Sequence, residues 1–347
     1  MKSVLAIGLI FFIAGVLTLP HYGINWDSIN HLPRGQAYLH FFLTGKEDYS
    51  DLDNFRKYYQ KTNTLLIDTD IPKKEVPKRS LFQSNATTFK WFMDGHDGNG
   101  HPPLSDILAS TFNLILFQNL RLINDVDSYR VYGILLAASL VSLVFYWTQK
   151  VYGKFAGLIA ALSLSIYPLF WSEAHFNIEK DIPETVFWSF LLFSVWMGVV
   201  KISWKWFLVS GLFFGLGLGT KLNILFSALV ILPWLFAYLL KNRMNFKLIV
   251  AMLFTPLSGI AIFIATWPYL WADPIGRIQK VLGYYKSIGL TLNRDPNFLG
   301  PFGINTYPIQ WIVYTTPLII LILAILGVIL AVLRVRRESD KDRKSVV

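Results

Sequence analysis

Apolar residues fill most of this chain in blocks too long for strands and too uniform for surface helices. The first, Val4 to Pro20, follows Met1-Lys2-Ser3. Leu17-Thr18-Leu19-Pro20 lacks the small-x-small pattern of a cleavage site, so the run predicts an uncleaved first span. Further apolar segments lie at about 131–148, 155–171, 186–200, 206–220, 222–240, 248–270 and 311–333. Some are short of the ~20 residues that a hydrocarbon core requires. The stretch 206–240 reads as two short spans joined at Thr220-Lys221-Leu222-Asn223, because one long span would leave Lys221 near the bilayer centre. The expected fold class is an all-α integral membrane protein, a bundle of about eight transmembrane helices.

Residues 21–130 break this pattern. They are mostly polar and too numerous for a simple connector, which predicts a working domain outside the bilayer. Ile29, Leu32, Leu39, Phe42 and Leu43 repeat with helical spacing, and Asp51 to Lys61 suggests a second short helix capped by Asp51. Later, Ile275, Ile278, Val281, Leu282 and Tyr285 predict a surface helix beside Arg277 and Lys280, cations that suit either anionic lipid or solvent.

The run that follows Asn99-Gly100-His101-Pro102-Pro103-Leu104 decides the topology. If it does not cross, the loops around Lys150/Lys154, Lys201/Lys205 and Lys241/Arg243/Lys247 share a side with Lys2 and the basic tail. That is the positive-inside pattern, so both termini are expected in the cytoplasm of a multi-pass plasma-membrane protein. Residues 104–118 then form an amphipathic helix at the outer interface, its polar side made by Asp106, Ser110, Asn113 and Gln118.

Composition narrows the functional classes. Hydrophobic residues make up 54% and charged residues 16%, which excludes an ordinary soluble domain. The net charge of +10 is spread over loops, so it fits topology better than nucleic-acid binding. There is no cysteine, hence neither thiol chemistry nor disulfides.

With this topology two acids share the outer face. Asp27 follows the first helix, and Asp181 precedes the fourth span, where Pro183 suits the first helical turn. One could serve as general base while the other orients substrate or holds a metal, and both could equally be solvated acids. Lys221 sits between two apolar runs, placed either to bind a lipid phosphate or to snorkel to the interface. Asp94, His96, Asp97 and His101 crowd together, as hydrated loop residues or metal ligands. Gly211, Gly215, Gly217 and Gly219 suit close helix packing.

Four landmarks then resemble the GT-C membrane glycosyltransferases, especially bacterial relatives of protein O-mannosyltransferases and the aminoarabinose transferase of lipid A. They are Trp26-Asp27 after the first helix, His101-Pro102-Pro103-Leu104, Lys180-Asp181-Ile182-Pro183, and Gly219-Thr220-Lys221. The resemblance covers about residues 1–240 and implies a catalytic membrane core there, with the extracytoplasmic loop 21–130 carrying interfacial helices. Residues 241–333 would add membrane helices and an outer loop, 271–310, and 334–347 a cytoplasmic tail.

The resemblance also implies a mechanism. A polyprenyl-phosphate sugar gives its sugar, with inversion, to a hydroxyl of a lipid, glycan or protein acceptor at the outer face. Asp27 would be the general base and Asp181 the second catalytic acid. Lys221 and His101 would bind lipid phosphate. Asp27, Asp181 and His101 are the candidate ligands of a divalent metal cation. This chain has Asp27-Ser28 where many relatives have two acids in a row. Membrane lipids are the other expected partners. The competing readings are a transporter or flippase of lipid-linked sugar and a non-catalytic envelope assembly protein.

Overall fold

A computed structural model describes residues 2–52, 79–95, 101–241, 246–291 and 296–344. The anticipated helix over Asp51–Lys61 lies outside the described residues beyond Leu52, as do His96 and Asp97. Among the described residues the secondary structure is helical, with no strand.

Helix α1 (Lys2–Thr18) is apolar along its length and ends in a 3-10 turn at Pro20. Helix α2 (Ser28–Thr44) follows the loop bearing Asp27. A short helix, α3 (Phe89–Met93), precedes α4 (Leu104–Asn113), which continues through a π turn, Leu114–Asn119. The long α5 (Asp125–Tyr152) starts at Asn124, whose side chain accepts a hydrogen bond from the Asp127 N–H. Next come α6 (Lys154–Ser165) and α7 (Pro168–Phe176), bent by 59° at the break before Pro168. Helix α8 (Asp181–Lys201) carries Pro183 in its first turn, where a missing N–H costs nothing.

Then follow α9 (Trp204–Leu218), a 3-10 stretch (Leu222–Ser227) leading into α10 (Ala228–Lys241), α11 (Phe246–Met252) and α12 (Phe254–Thr266). Helix α13 (Pro274–Thr291) is the surface helix expected from its apolar spacing. Helices α14 (Tyr307–Thr315) and α15 (Leu318–Lys344) meet at a sharp bend.

Five of these helical stretches are long and apolar enough to cross a membrane, or up to seven if each bent pair is one span. The sequence pattern suggested about eight. The difference is α9, which has 15 residues and rises only ~22 Å, together with the bends in the two pairs. Helix α5 is central: it packs against α1, α4, α6 and α8. From α8 the bundle continues to α9 and then α12. The glycines of α9 pack tightly there, since a Cβ on Gly215 would come within 2.8 Å of the Gly259 carbonyl of α12.

Helix α4 departs from expectation in its orientation. Asp106, Ser110, Asn113 and Gln118 are all buried, while Ile115 is exposed. The polar side faces inward, because α2 and α5 supply partners for it. Asn113 Nδ2 donates to the Asp125 carboxylate at 2.7 Å, and Gln36 Nε2 donates to Asn113 Oδ1 at 3.0 Å and to Tyr129 at 2.7 Å. Buried amides satisfied in this way tie α2, α4 and α5 into one block.

Candidate active site

The loop after α1 is fixed by Arg130 of α5. Its guanidinium pairs with Asp127 at 2.7 Å and donates to the Tyr22 and Gly23 carbonyls. This sets where α2 begins, and hence where Asp27 projects. Opposite lies the turn between α7 and α8. Lys180 Nζ donates to Asp27 Oδ2 at 2.8 Å, and the Ser28 hydroxyl donates to Glu179. Residues 27 and 28 are thus matched by 180 and 179.

Asp181, one residue further, takes a different cation. Lys221 Nζ donates to Asp181 Oδ1 at 2.6 Å and lies 3.9 Å from Glu184 Oε2. Asn177 Nδ2 donates to Asp181 Oδ2 at 2.8 Å. Behind Asp181 and Asn177 opens a cavity of about 430 Å³ with a largely apolar wall, including Leu140, Leu164, Phe170 and Trp311.

A third group closes the arrangement. Asp106 of α4 receives Arg34 Nε at 2.7 Å, and Asp106 Oδ1 lies 2.9 Å from His31 Nδ1. Gly35 lets α2 approach this closely, since a Cβ there would strike the Asp106 carbonyl. His101, just before α4, lies 5.9 Å from the His31 ring. The start of α4 is itself tied to the end of α9, for the Leu104 N–H donates to the Gly219 carbonyl at 2.9 Å. A Cβ on Gly219 would come within 2.9 Å of the Leu104 Cβ. The His101 and Lys221 loops are therefore neighbours.

The electrostatics follow from these contacts. The Lys180 hydrogen bond holds the Asp27 carboxyl below its usual value, with burial opposing it. Burial pushes His101 down to about 3, with Arg34 and His31 adding to the effect, so the imidazole is neutral near pH 7. Burial also raises the Glu179 carboxyl to about 7. Asp106 is deeply buried, yet the Arg34 and His31 side of its surroundings keeps it below the usual value.

Residues 100–271 match the family of dolichyl-phosphate-mannose-protein mannosyltransferases. Over those residues the chain is similar to a family of membrane glycosyltransferases. Its span takes in His101, Asp181 and Lys221 and stops short of Asp27 on one side and α13 on the other. No curated protein and no solved structure matches the chain.

All four expected site residues have a nearby partner of opposite charge or a shared ring cluster. Asp27 meets Lys180, Asp181 meets Lys221, and His101 meets His31. Among the described residues no group of three or more His, Cys, Asp or Glu is placed to hold a metal ion. The carboxylates of Asp27 and Asp181 are each held by a lysine.

Sequence reasoning gave no role to Lys180, Glu184, or the Asp106–Arg34–His31 group. A signal existed for part of it. Asp27, His31 and Arg34 are spaced by four and three residues, which places them on one helical face.

Proposed function

We propose that this protein moves a sugar from a polyprenyl-phosphate donor to an acceptor hydroxyl at the outer membrane face, with inversion and with Asp27 as general base. The observation that carries the reading is the pairing of neighbours: Lys180 holds Asp27, while the adjacent Asp181 holds Lys221. A base and two cations thereby gather from three loops around the Lys180–Asp181 turn, beside an apolar-walled cavity suited to a lipid.

The reaction needs little else. The acceptor oxygen attacks the anomeric carbon as its proton passes to Asp27. The bond from that carbon to the phosphate oxygen breaks, and polyprenyl phosphate leaves with the electron pair. Negative charge grows on the leaving phosphate, where Lys221 and Lys180 can stabilise it. When phosphate draws Lys180 away, Asp27 loses the bond that depresses its proton affinity, so the base strengthens as the donor arrives. Asp181 holds Lys221 in place until then. His101, being neutral, contributes a hydrogen bond to the phosphate rather than charge. No step requires a metal. The positive-inside distribution of Lys and Arg supports an extracytoplasmic site and cytoplasmic termini, with α4 beside the bundle at the outer interface.

The test is transfer from polyprenyl-phosphate mannose or glucose to envelope acceptors by the purified protein. Asp27→Asn is expected to lower turnover by about 10²–10⁴-fold, the usual worth of a general base, with the melting temperature unchanged. Full turnover in that folded variant would remove the assignment.

A further inference from the structure

Beside Lys221 lies a cluster that the transfer step leaves unused. Glu184 sits in the first turn of α8, is buried, and its Oε1 has no hydrogen-bond partner. The Tyr285 hydroxyl of α13 is also buried without a partner. The two belong to one neighbourhood: the His101 ring lies 6.2 Å from Tyr285, the loop of His101 is tied to that of Lys221, and Lys221 lies 3.9 Å from Glu184. Orphaned buried polar atoms are rare, and each costs about 1–3 kcal/mol unless something absent from the protein itself satisfies it.

The surrounding side chains describe what that something is. His101 is edge-on to Tyr284 at 5.9 Å and to Tyr285 at 6.2 Å, and His31 lies 5.9 Å from His101 on another side. These rings supply aromatic surface of the kind that packs on the axial C–H groups of a non-planar ring. Glu184 can only accept if ionised, and Tyr285 can both donate and accept, so the pair suits hydroxyl groups. Lys221, 3.9 Å from Glu184, opposes a cationic amino group at the same place.

We infer that Glu184 and Tyr285, with the rings of His101 and Tyr284, form a subsite that recognises the hydroxyls of a neutral sugar ring and so sets which sugar is accepted. The inference rests on the transferase reading for the presence of a sugar, and it goes beyond the family match, which ends before α13. Helix α13 would thus bring the specificity element to a core that the rest of the bundle builds.

The experiment uses the full chain in lipid nanodiscs. Binding is measured for polyprenyl phosphate, for polyprenyl-phosphate mannose and glucose, for their monodeoxy analogues, and for a polyprenyl-phosphate amino sugar. Transfer is followed in the same preparations. One monodeoxy analogue of the preferred sugar should bind about tenfold more weakly than its parent. Tyr285→Phe and Glu184→Gln should each cost about tenfold for the parent, nothing further for that analogue, and nothing for polyprenyl phosphate. Tyr285→Phe removes an unpartnered hydroxyl and should melt at or above the wild-type temperature.

If both variants discriminate as wild type does, or weaken every ligand equally, the subsite is overturned even where transfer proceeds. Tighter binding of the amino sugar overturns the neutral-ring assignment. Hydroxyl discrimination that depends on Tyr285 without any transfer upholds the subsite and defeats the transferase reading. Absence of binding by any sugar lipid defeats both.

Discussion

The charge pairs of this site come at two depths. Arg34 and Asp106 expose 2% and 1% of their side chains. Lys180 and Asp27 expose 18% and 48%, and Lys221 and Asp181 expose 26% and 52%. The deep pair is surrounded by protein, and His31 lies against both of its members. The shallow pairs are open to anything that can compete for a lysine. Depth therefore separates two settings: the Arg34–Asp106 pair joins α2 to α4, while under the proposed function the shallow pairs hold charges for an anionic ligand. Ion pairs exposed to this degree contribute little to stability, on the order of 0–1 kcal/mol.

The largest effect should come from the deep pair. Asp106→Asn leaves Arg34 charged and buried, which is expected to cost about 3–5 kcal/mol and appear as loss of folded protein in thermal melts. Replacing both partners, with Arg34→Leu and Asp106→Leu together, should recover much of that loss. A single variant that melts like the wild type would erase the distinction between the two depths.

Glu179 sharpens the comparison, since it is buried and forms no ion pair among the described residues. Burial raises its carboxyl to about 7, above the ~4.3 of an unfolded chain. The folded protein favours the neutral form, so its contribution to stability is complete below about pH 4 and is lost as the pH rises through about 7. That contribution is on the order of 3 kcal/mol. Melting temperature should accordingly fall between pH 5 and pH 8, and Glu179→Gln should flatten the slope. An unchanged slope in the variant would return Glu179 to the solvated class.

The smallest of the three concerns a shallow pair. Lys221→Met should leave the melting temperature within a few degrees of wild type, yet raise the apparent KM for the lipid-phosphate donor about tenfold. Lys221→Arg should retain most donor affinity. Equal effects of both substitutions on stability alone would make Lys221 a structural residue.

Much of this arrangement could be read along the chain. Hydrophobic blocks placed the helices, and the distribution of Lys and Arg kept 104–118 out of the set of spans. Asp27, His101, Asp181 and Lys221, singled out along the chain, fall on loops that adjoin one another in the fold. What stayed hidden were pairings between distant positions. His31 and Asp106 are 75 residues apart, and Asp27 and Lys180 are 153 apart, so no local periodicity records them. The inward turn of the α4 polar side was hidden for a related reason. A polar stripe on a helix looks the same whether water or the amides of α2 and α5 satisfy it.

The bond from the Leu104 N–H to the Gly219 carbonyl carries a lesson for recombination. It fastens the loop of His101 to the loop of Lys221, and Gly219 keeps the room that Leu104 occupies. A hybrid made with a related enzyme cannot draw one of these loops from each parent without rebuilding both sides of that contact. Segments 101–104 and 219–221 should travel together as a single inherited unit, although more than a hundred residues of chain separate them.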